Sequence, residues 1–449
     1  MDERHSRSLP QTNQLEVEFT TLGFYEPGFI HLQVNVDDDL SDLNTLMNMA
    51  TPAHWVATFL HEYIHFLQDI TTTHGLLNFL HAIEHLKNAN KQVIENPAAV
   101  FQIPLRISND YNWETNRKLR RLYNGCDDPV EGIVYSGYRV DTEQIIAGDG
   151  SVILVPKYLV DYYDNGAQTN MTCHFGSIHI KEYMAHAVQK QFAPATSHAA
   201  IPYCLAELIV QKEIPRLAGD VSFIIALCDA SLMDFHPARL FFHTIERIKS
   251  TPDWTPEDAE SVYTLAFWGC KLSYDGRVET FESLYDRTAE SAVLAFHDSL
   301  PAGVYNNNVL WFKEVIAGAQ SLRSNHRAFF SHLVASPGKL SATFDYVMTA
   351  VGIPYTTNEL SKGYFVAPAK LMSCAIQPYY PKAFQAICRT YMGHRDCALY
   401  PFCEARTAGK IINDDCWNQP WARVEQPELC PYAQMWKAWG LQGKTPSKA

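Results

Sequence analysis

The residues with the clearest chemistry lie together in Phe59-Leu60-His61-Glu62-Tyr63-Ile64-His65-Phe66-Leu67-Gln68-Asp69. On a helix, residues four apart stand one turn above each other on one face. His61 and His65 would then offer two imidazole nitrogens to one metal ion. Glu62 is rotated by one residue, so its carboxylate can reach a water on that ion without being a ligand. The chemistry this allows is metal-assisted hydrolysis. The residues around the motif suit it: Ala57 to Leu60, Tyr63, Ile64 and Phe66 to Gln68 carry no charge that would compete for the ion.

The spacing His-Glu-x-x-His is that of zinc peptidases, in which zinc takes three protein ligands and keeps a fourth position open. Satisfied buried histidines are the plain alternative, but two histidines and a glutamate are costly to bury without a purpose. Glu62-x-x-His65 is also half of a di-iron four-helix site, which needs a second Glu-x-x-His on another helix; the chain has none. The metzincin extension fails as well: His74 lies nine residues beyond His65, and His65-Phe66-Leu67-Gln68 lacks the Gly that the pattern needs after two spacers.

The motif helix supplies two ligands, so a third must come from elsewhere. Phe175-Gly176-Ser177-Ile178-His179-Ile180-Lys181-Glu182-Tyr183-Met184-Ala185-His186 reads as a helix with Ser177 as its N-cap. Ile178, Glu182, Ala185 and Gln189 share one of its faces. A glutamate on an otherwise small and apolar face is a candidate ligand, with Glu207 on another apolar helix as the alternative.

His61-Glu62-x-x-His65 followed by a helix carrying Glu182-x-x-Ala185-His186 resembles the gluzincin metallopeptidases, thermolysin and its relatives. The resemblance implies a zincin-like core, Zn2+ held by His61, His65 and Glu182, and Glu62 as general base. It implies close helix approach at Ala185. Two departures stand out: His186 occupies the place where an Asp is usual, and His65 and Glu182 are further apart in sequence than in thermolysin. The resemblance covers two short helices.

Those helices need a scaffold, and the chain is long enough to bury an ample core. Its 449 residues, 47% hydrophobic and 19% charged, describe an ordinary globular composition. The net charge of −13 disfavours phosphate backbones and anionic membranes as partners, so a protein or peptide substrate is expected rather than nucleic acid or a bilayer. No run of eighteen apolar residues suggests a membrane span. The polar first residues lack the apolar region of a secretory signal, and the cysteine number, 11, is odd. Reduced thiols and a cytoplasmic location are the expectation. Composition leaves the oligomeric state open.

In chain order, residues 1–14 read as a tail. Strands are expected near Leu15–Thr21 and Phe29–Val36, separated by Glu26-Pro27-Gly28, and the alternation in Ile30–Val36 suggests a half-exposed strand. Asp37-Asp38-Asp39 ends it, and Ser41 can cap a short helix. Thr51-Pro52 would open the motif helix, which runs to about Thr71. A second helix is expected over Leu76–Val93, with His81 and His85 as surface or structural residues. Residues 100–176 read as loops and strands, with strands at Ile133–Tyr138 and Val152–Val160. Residues 200–350 read as mainly helical, with a helix start at Thr255-Pro256 and a helix over Ala342–Val351 ending at Gly352.

The last part changes character. Cys397, Cys403, Cys416 and Cys430 accompany Trp417, Trp421, Trp436 and Trp439. Their spacing suits a four-thiolate zinc or iron–sulfur site, but lacks paired Cys-x-x-Cys, so free buried thiols fit equally. Gly443–Ala449 reads as a polar tail.

The expected protein is therefore α+β and predominantly helical. It has a zincin-like catalytic domain with a small sheet over 15–370 and a Cys/Trp-rich C-terminal subdomain over 371–449. Its expected activity is peptide hydrolysis. Two other readings stay open: a metal-dependent hydrolase of non-peptide amides, or a zincin-fold binding protein without turnover. An extended substrate would pair with an edge strand, with Phe29–Val36 the first choice. Tyr203 and His179 are candidates for the oxyanion partner.

Overall fold

A computed structural model describes residues 23–26, 30–36, 40, 55–106, 111–274, 276–300, 303, 305–358, 363–377, 379–407 and 411–448. Within these the fold is α+β and mostly helical, with small separate sheets. The expected strand at Leu15–Thr21, the Asp37–Asp39 turn, the Ser41 cap and the Thr51-Pro52 helix start lie outside the described residues, as does the whole of the expected N-terminal tail over residues 1–14.

Strands β1 (Gly23–Glu26) and β2 (His31–Val34) form a hairpin that pairs Glu26 with His31. Helix α1 (Val56–Thr71) follows and carries the metal motif. It is buried almost all round, polar residues included, so it runs through the core. Val56 and every residue from Phe59 to Thr71 are buried. Thr72 ends α1 in an extended conformation and caps α2 (Thr73–Glu95), its hydroxyl accepting from the Gly75 N–H at 3.1 Å. The turn is so tight that a Cβ on Gly75 would lie 2.3 Å from the Asp69 Cα. Only glycine permits this return path.

Helix α3 (Tyr111–Asn124) stands where loop and strand were expected. Three antiparallel strands follow: β3 (Ile133–Ile146), β4 (Val152–Asp164) and β5 (Thr169–Phe175). The first two run longer than the apolar alternation suggested, because their outer faces are solvated and antiparallel pairing tolerates that. β5 feeds directly into α4 (Ser177–Phe192), the helix of Glu182. The N-cap is Gly176, not Ser177; the Ser177 hydroxyl instead donates to Asn124 Oδ1 at 3.1 Å. Ala185 is fully buried where α4 packs on α1.

Helix α5 (Val221–Leu232) packs behind α4. The next expected start, Thr255-Pro256, falls a few residues early: that helix is Ala259–Phe267, capped by the Asp258 side chain. Helix α6 (Asn306–Asn325) reaches the C-terminal end of α1. There Arg323 Nε donates to the Thr71 carbonyl at 2.6 Å, while Nη1 and Nη2 grip Asp229 of α5 at 2.5 and 2.7 Å. Tyr263 donates to the same carboxylate.

The helix Ala342–Val351 ends at Gly352 as expected, with φ of 75°. The Gly352 carbonyl accepts from the Tyr63 hydroxyl of α1 at 2.7 Å. Strands β6 (Ile353–Thr357) and β7 (Gly363–Val366) complete a sheet in the order β1-β2-β6-β7, with β2 and β6 parallel. This corrects two expectations for Phe29–Val36. The strand core His31–Val34 is interior to the sheet, so its backbone is already paired and cannot receive an extended substrate. It is also mostly buried rather than half-exposed, because α1 covers it.

The Cys/Trp-rich section packs onto the same continuous core. The Trp439 indole donates to the Ser299 carbonyl at 2.8 Å. The expected polar tail is in part a strand, Thr445–Lys448, parallel to Val100–Ile103.

Arg323 and Asp229 are both buried, so removing one leaves the other uncompensated. Arg323→Ala is expected to lower the unfolding free energy by about 3–5 kcal/mol. Urea unfolding of the two chains measures this, and a loss below about 1 kcal/mol would mean that the pair does not anchor the end of α1.

Candidate metal centre

Helix α1 places His61 and His65 one turn apart, and α4 presents Glu182 to both. His61 Nε2 lies 3.2 Å from Glu182 Oε2, and His65 Nε2 lies 3.1 Å from Oε1. The two Nε2 atoms are 3.3 Å apart. All three side chains are buried, each about 4% exposed or less.

Hydrogen bonding behind the rings decides what these atoms present. Gln68 donates its amide N–H to the Lys181 carbonyl at 3.0 Å, which turns its Oε1 toward His65 Nδ1, 2.9 Å away. An oxygen acceptor requires Nδ1 to carry the proton, so in the neutral ring Nε2 keeps a lone pair. His61 Nδ1 likewise faces Gln189 Oε1 at 3.2 Å. Two imidazole lone pairs and a carboxylate therefore point at one another in a buried space. The two Nε2 atoms are too close for both to carry protons. A divalent cation relieves that repulsion, and the residues fit zinc: two imidazoles, one carboxylate, and ring orientations fixed from behind.

Gln68 and Gln189 were not singled out for this role in the sequence. Gln68 stands three residues after His65, and Gln189 seven after Glu182 on the face already noted. Ligand histidines need an acceptor behind them. A search for polar residues one or two turns from each ligand would have found both.

Glu62 is buried beside the two histidines. Burial pushes its carboxyl above the usual range, with His61 and His65 opposing. Lys181 approaches buried Asp69 at 3.4 Å, one turn beyond His65. Burial raises the Asp69 carboxyl, and Lys181 offsets part of that.

A second layer of rings lies behind His61. His198 Nε2 meets Gln189 Oε1 at 3.0 Å, and the His198 ring stacks on Tyr203 at 4.5 Å. Tyr203 lies 6.1 Å from the His61 ring, centre to centre. His186, which stands where relatives of thermolysin carry Asp, sits 5.0 Å from His198. Burial first, then His198, holds His186 down to about 3, so it is a neutral ring and not a substitute anion.

The structure does not bring the other candidates here. Glu207 is half-buried and accepts from Gln211 at 3.1 Å. His179 groups with Cys126 and Cys173, a cluster that no spacing along the chain suggests. Cys397, Cys403, Cys416 and Cys430 come near one another, and burial first, then the neighbouring thiols, raises Cys403 to about 12. Among the described residues, however, donor atoms converge within 4.8 Å at the His61, His65 and Glu182 site and at the Cys126 cluster. Nor is any described helix long and apolar enough to cross a membrane. Compared with known protein families, curated proteins and solved structures, the chain matches none.

Glu182→Ala should strip the chain of zinc under a chelator challenge that Glu207→Ala withstands. The reverse order of metal retention would show the third ligand to be misassigned. Gln68→Ala keeps every proposed ligand and frees only the His65 ring. It should weaken zinc affinity by about 10- to 100-fold in chelator competition, and unchanged affinity would sink the orienting role.

Proposed function

We propose that this protein is a zinc-dependent peptidase with a gluzincin-like core. The observation that carries the reading is the convergence of His61 Nε2, His65 Nε2 and both Glu182 oxygens, with Glu62 buried at their side. His61, His65 and Glu182 would hold the ion. When bound, zinc supplies a Lewis acid for the scissile carbonyl and lowers the pKa of a water.

The chain's own residues do the rest. Glu62 accepts the proton of the attacking water and delivers it to the amide nitrogen as the C–N bond breaks, leaving a carboxylic acid and an amine. Its burial favours this, because a carboxylate with a raised pKa is a stronger base. Gln68 and Gln189 keep the imidazoles aimed inward throughout. Of the two oxyanion candidates, Tyr203 has its ring 6.1 Å from that of His61, centre to centre.

Elemental analysis of protein expressed with zinc should give about one ion at this site per chain. Glu62→Gln should keep that ion, since Glu62 is no ligand, and should lose turnover on a peptide library, since an amide cannot take the proton. Cleavage by Glu62→Gln at the parent rate would overturn the general-base role. Zinc retention with no peptide cleavage by the parent chain would favour a hydrolase of other amides or a binding protein.

A further inference from the structure

A second cluster lies where β5 meets α4. The donor atoms of Cys126, Cys173 and His179 all lie within 4.8 Å of one another. Two glycines create it. Gly125, with φ of 87°, precedes Cys126, and a Cβ there would lie 2.6 Å from the His174 carbonyl. A Cβ on Gly176 would lie 2.3 Å from the Asn124 carbonyl carbon. The chain leaving α3 is thus laid against the end of β5, and the Cys126 N–H donates to the His174 carbonyl at 3.0 Å. Cys173 is buried on β5, while Cys126 is only partly buried in its loop.

Two thiols and an imidazole suggest a metal at first sight, but the imidazole argues otherwise. His179 Nδ1 accepts from the Gly176 N–H at 3.2 Å, the bond that starts α4. In the neutral ring the proton therefore sits on Nε2, which is buried. A metal on Nε2 would need the other tautomer, with Nδ1–H facing the Gly176 N–H. A metal on Nδ1 would displace that N–H. Either way an ion costs the start of α4. At His61 and His65 the ring protons point outward to glutamine oxygens and leave lone pairs inside; here the backbone imposes the opposite tautomer.

We propose that Cys126 and Cys173 are a redox-active dithiol, oxidised to a disulfide by hydroperoxides. Partly exposed Cys126 is the nucleophile, and buried Cys173 is the resolving thiol. The charge distribution agrees. Its hydrogen bond with Cys173 is the main cause drawing the Cys126 thiol below the usual range; burial opposes this and His179 assists. The same hydrogen bond, with burial, pushes Cys173 up, so the proton stays there. A thiolate is the reactive form.

In the first step the Cys126 sulfur attacks one oxygen of hydrogen peroxide. The O–O bond breaks, hydroxide leaves and takes up a proton, and Cys126 becomes a sulfenic acid. The Cys173 sulfur then attacks the Cys126 sulfur. The S–O bond breaks, and water leaves with the Cys173 proton. Together the two thiols lose two electrons and two protons, and one peroxide becomes two waters. The product would cross-link the exit of α3 to the end of β5, just before α4.

The full chain, reduced and freed of reductant, is treated with limiting hydrogen peroxide, alkylated and digested without reduction for mass spectrometry. The Cys126–Cys173 cross-link should form before any other of the 11 cysteines is oxidised. Cys173→Ser should stop at the sulfenic acid on Cys126, which dimedone traps. The parent measurement does not depend on how the variant folds. The proposal fails if both thiols stay reduced while other cysteines oxidise. It also fails if the parent holds, beyond the ion at His61, a metal that Cys126→Ser releases.

Discussion

Three acceptor groups facing one another inside a protein are a standing repulsion. His61, His65 and Glu182 are in that position because their hydrogen bonding is settled elsewhere: each ring proton is committed to a glutamine oxygen. Taking a charge out of water costs several kcal/mol, far more than leaving it at an exposed site. The rest of the molecule is arranged to keep α1 and α4 in this contact despite that cost.

The scaffold holds α1 on independent sides. Tyr63 ties its flank to Gly352, at the junction of a helix and the sheet. Arg323 caps its last carbonyl, that of Thr71, and ties it to Asp229 on α5, which packs behind α4. Gly75 lets the chain turn back at once, so α2 covers the helix end. Each device acts outside the site, yet each sets where an imidazole or a carboxylate stands.

Much of this was legible in the sequence, and the reasons for the failures are specific. The motif helix, the Glu182 helix, the Thr73–Glu95 helix and the Gly352 stop follow from local periodicity and end signals. The place of β2 inside its sheet was not legible, since strand order depends on β6, more than 300 residues away. Helix α3 was missed because its pattern is strongly polar, with little apolar face to read. Ser177 looked like a cap, but the close approach of Asn124 and Gly176 gave that place to glycine. Gln68 and Gln189 were visible as residues and invisible as partners, because a tautomer is set by three-dimensional hydrogen bonding. The Cys126 cluster likewise needs two glycine-mediated crossings that no spacing rule encodes.

The separation of the site along the chain has a consequence for folding. Gln68 and the Lys181 carbonyl it grips are 113 residues apart, and His61 and Gln189 are 128 apart. Closing so long a loop costs entropy before any contact repays it. A nascent chain that has made only α1 carries both histidines and still lacks Glu182, whose helix follows the whole β3–β5 hairpin. In the proposed site, tight ion capture would therefore come after those three strands have formed and α4 has docked. On the proposed reading, metal affinity would then double as a checkpoint on assembly, since only a chain that has completed its first ~190 residues in the right topology brings Glu182 to both histidines.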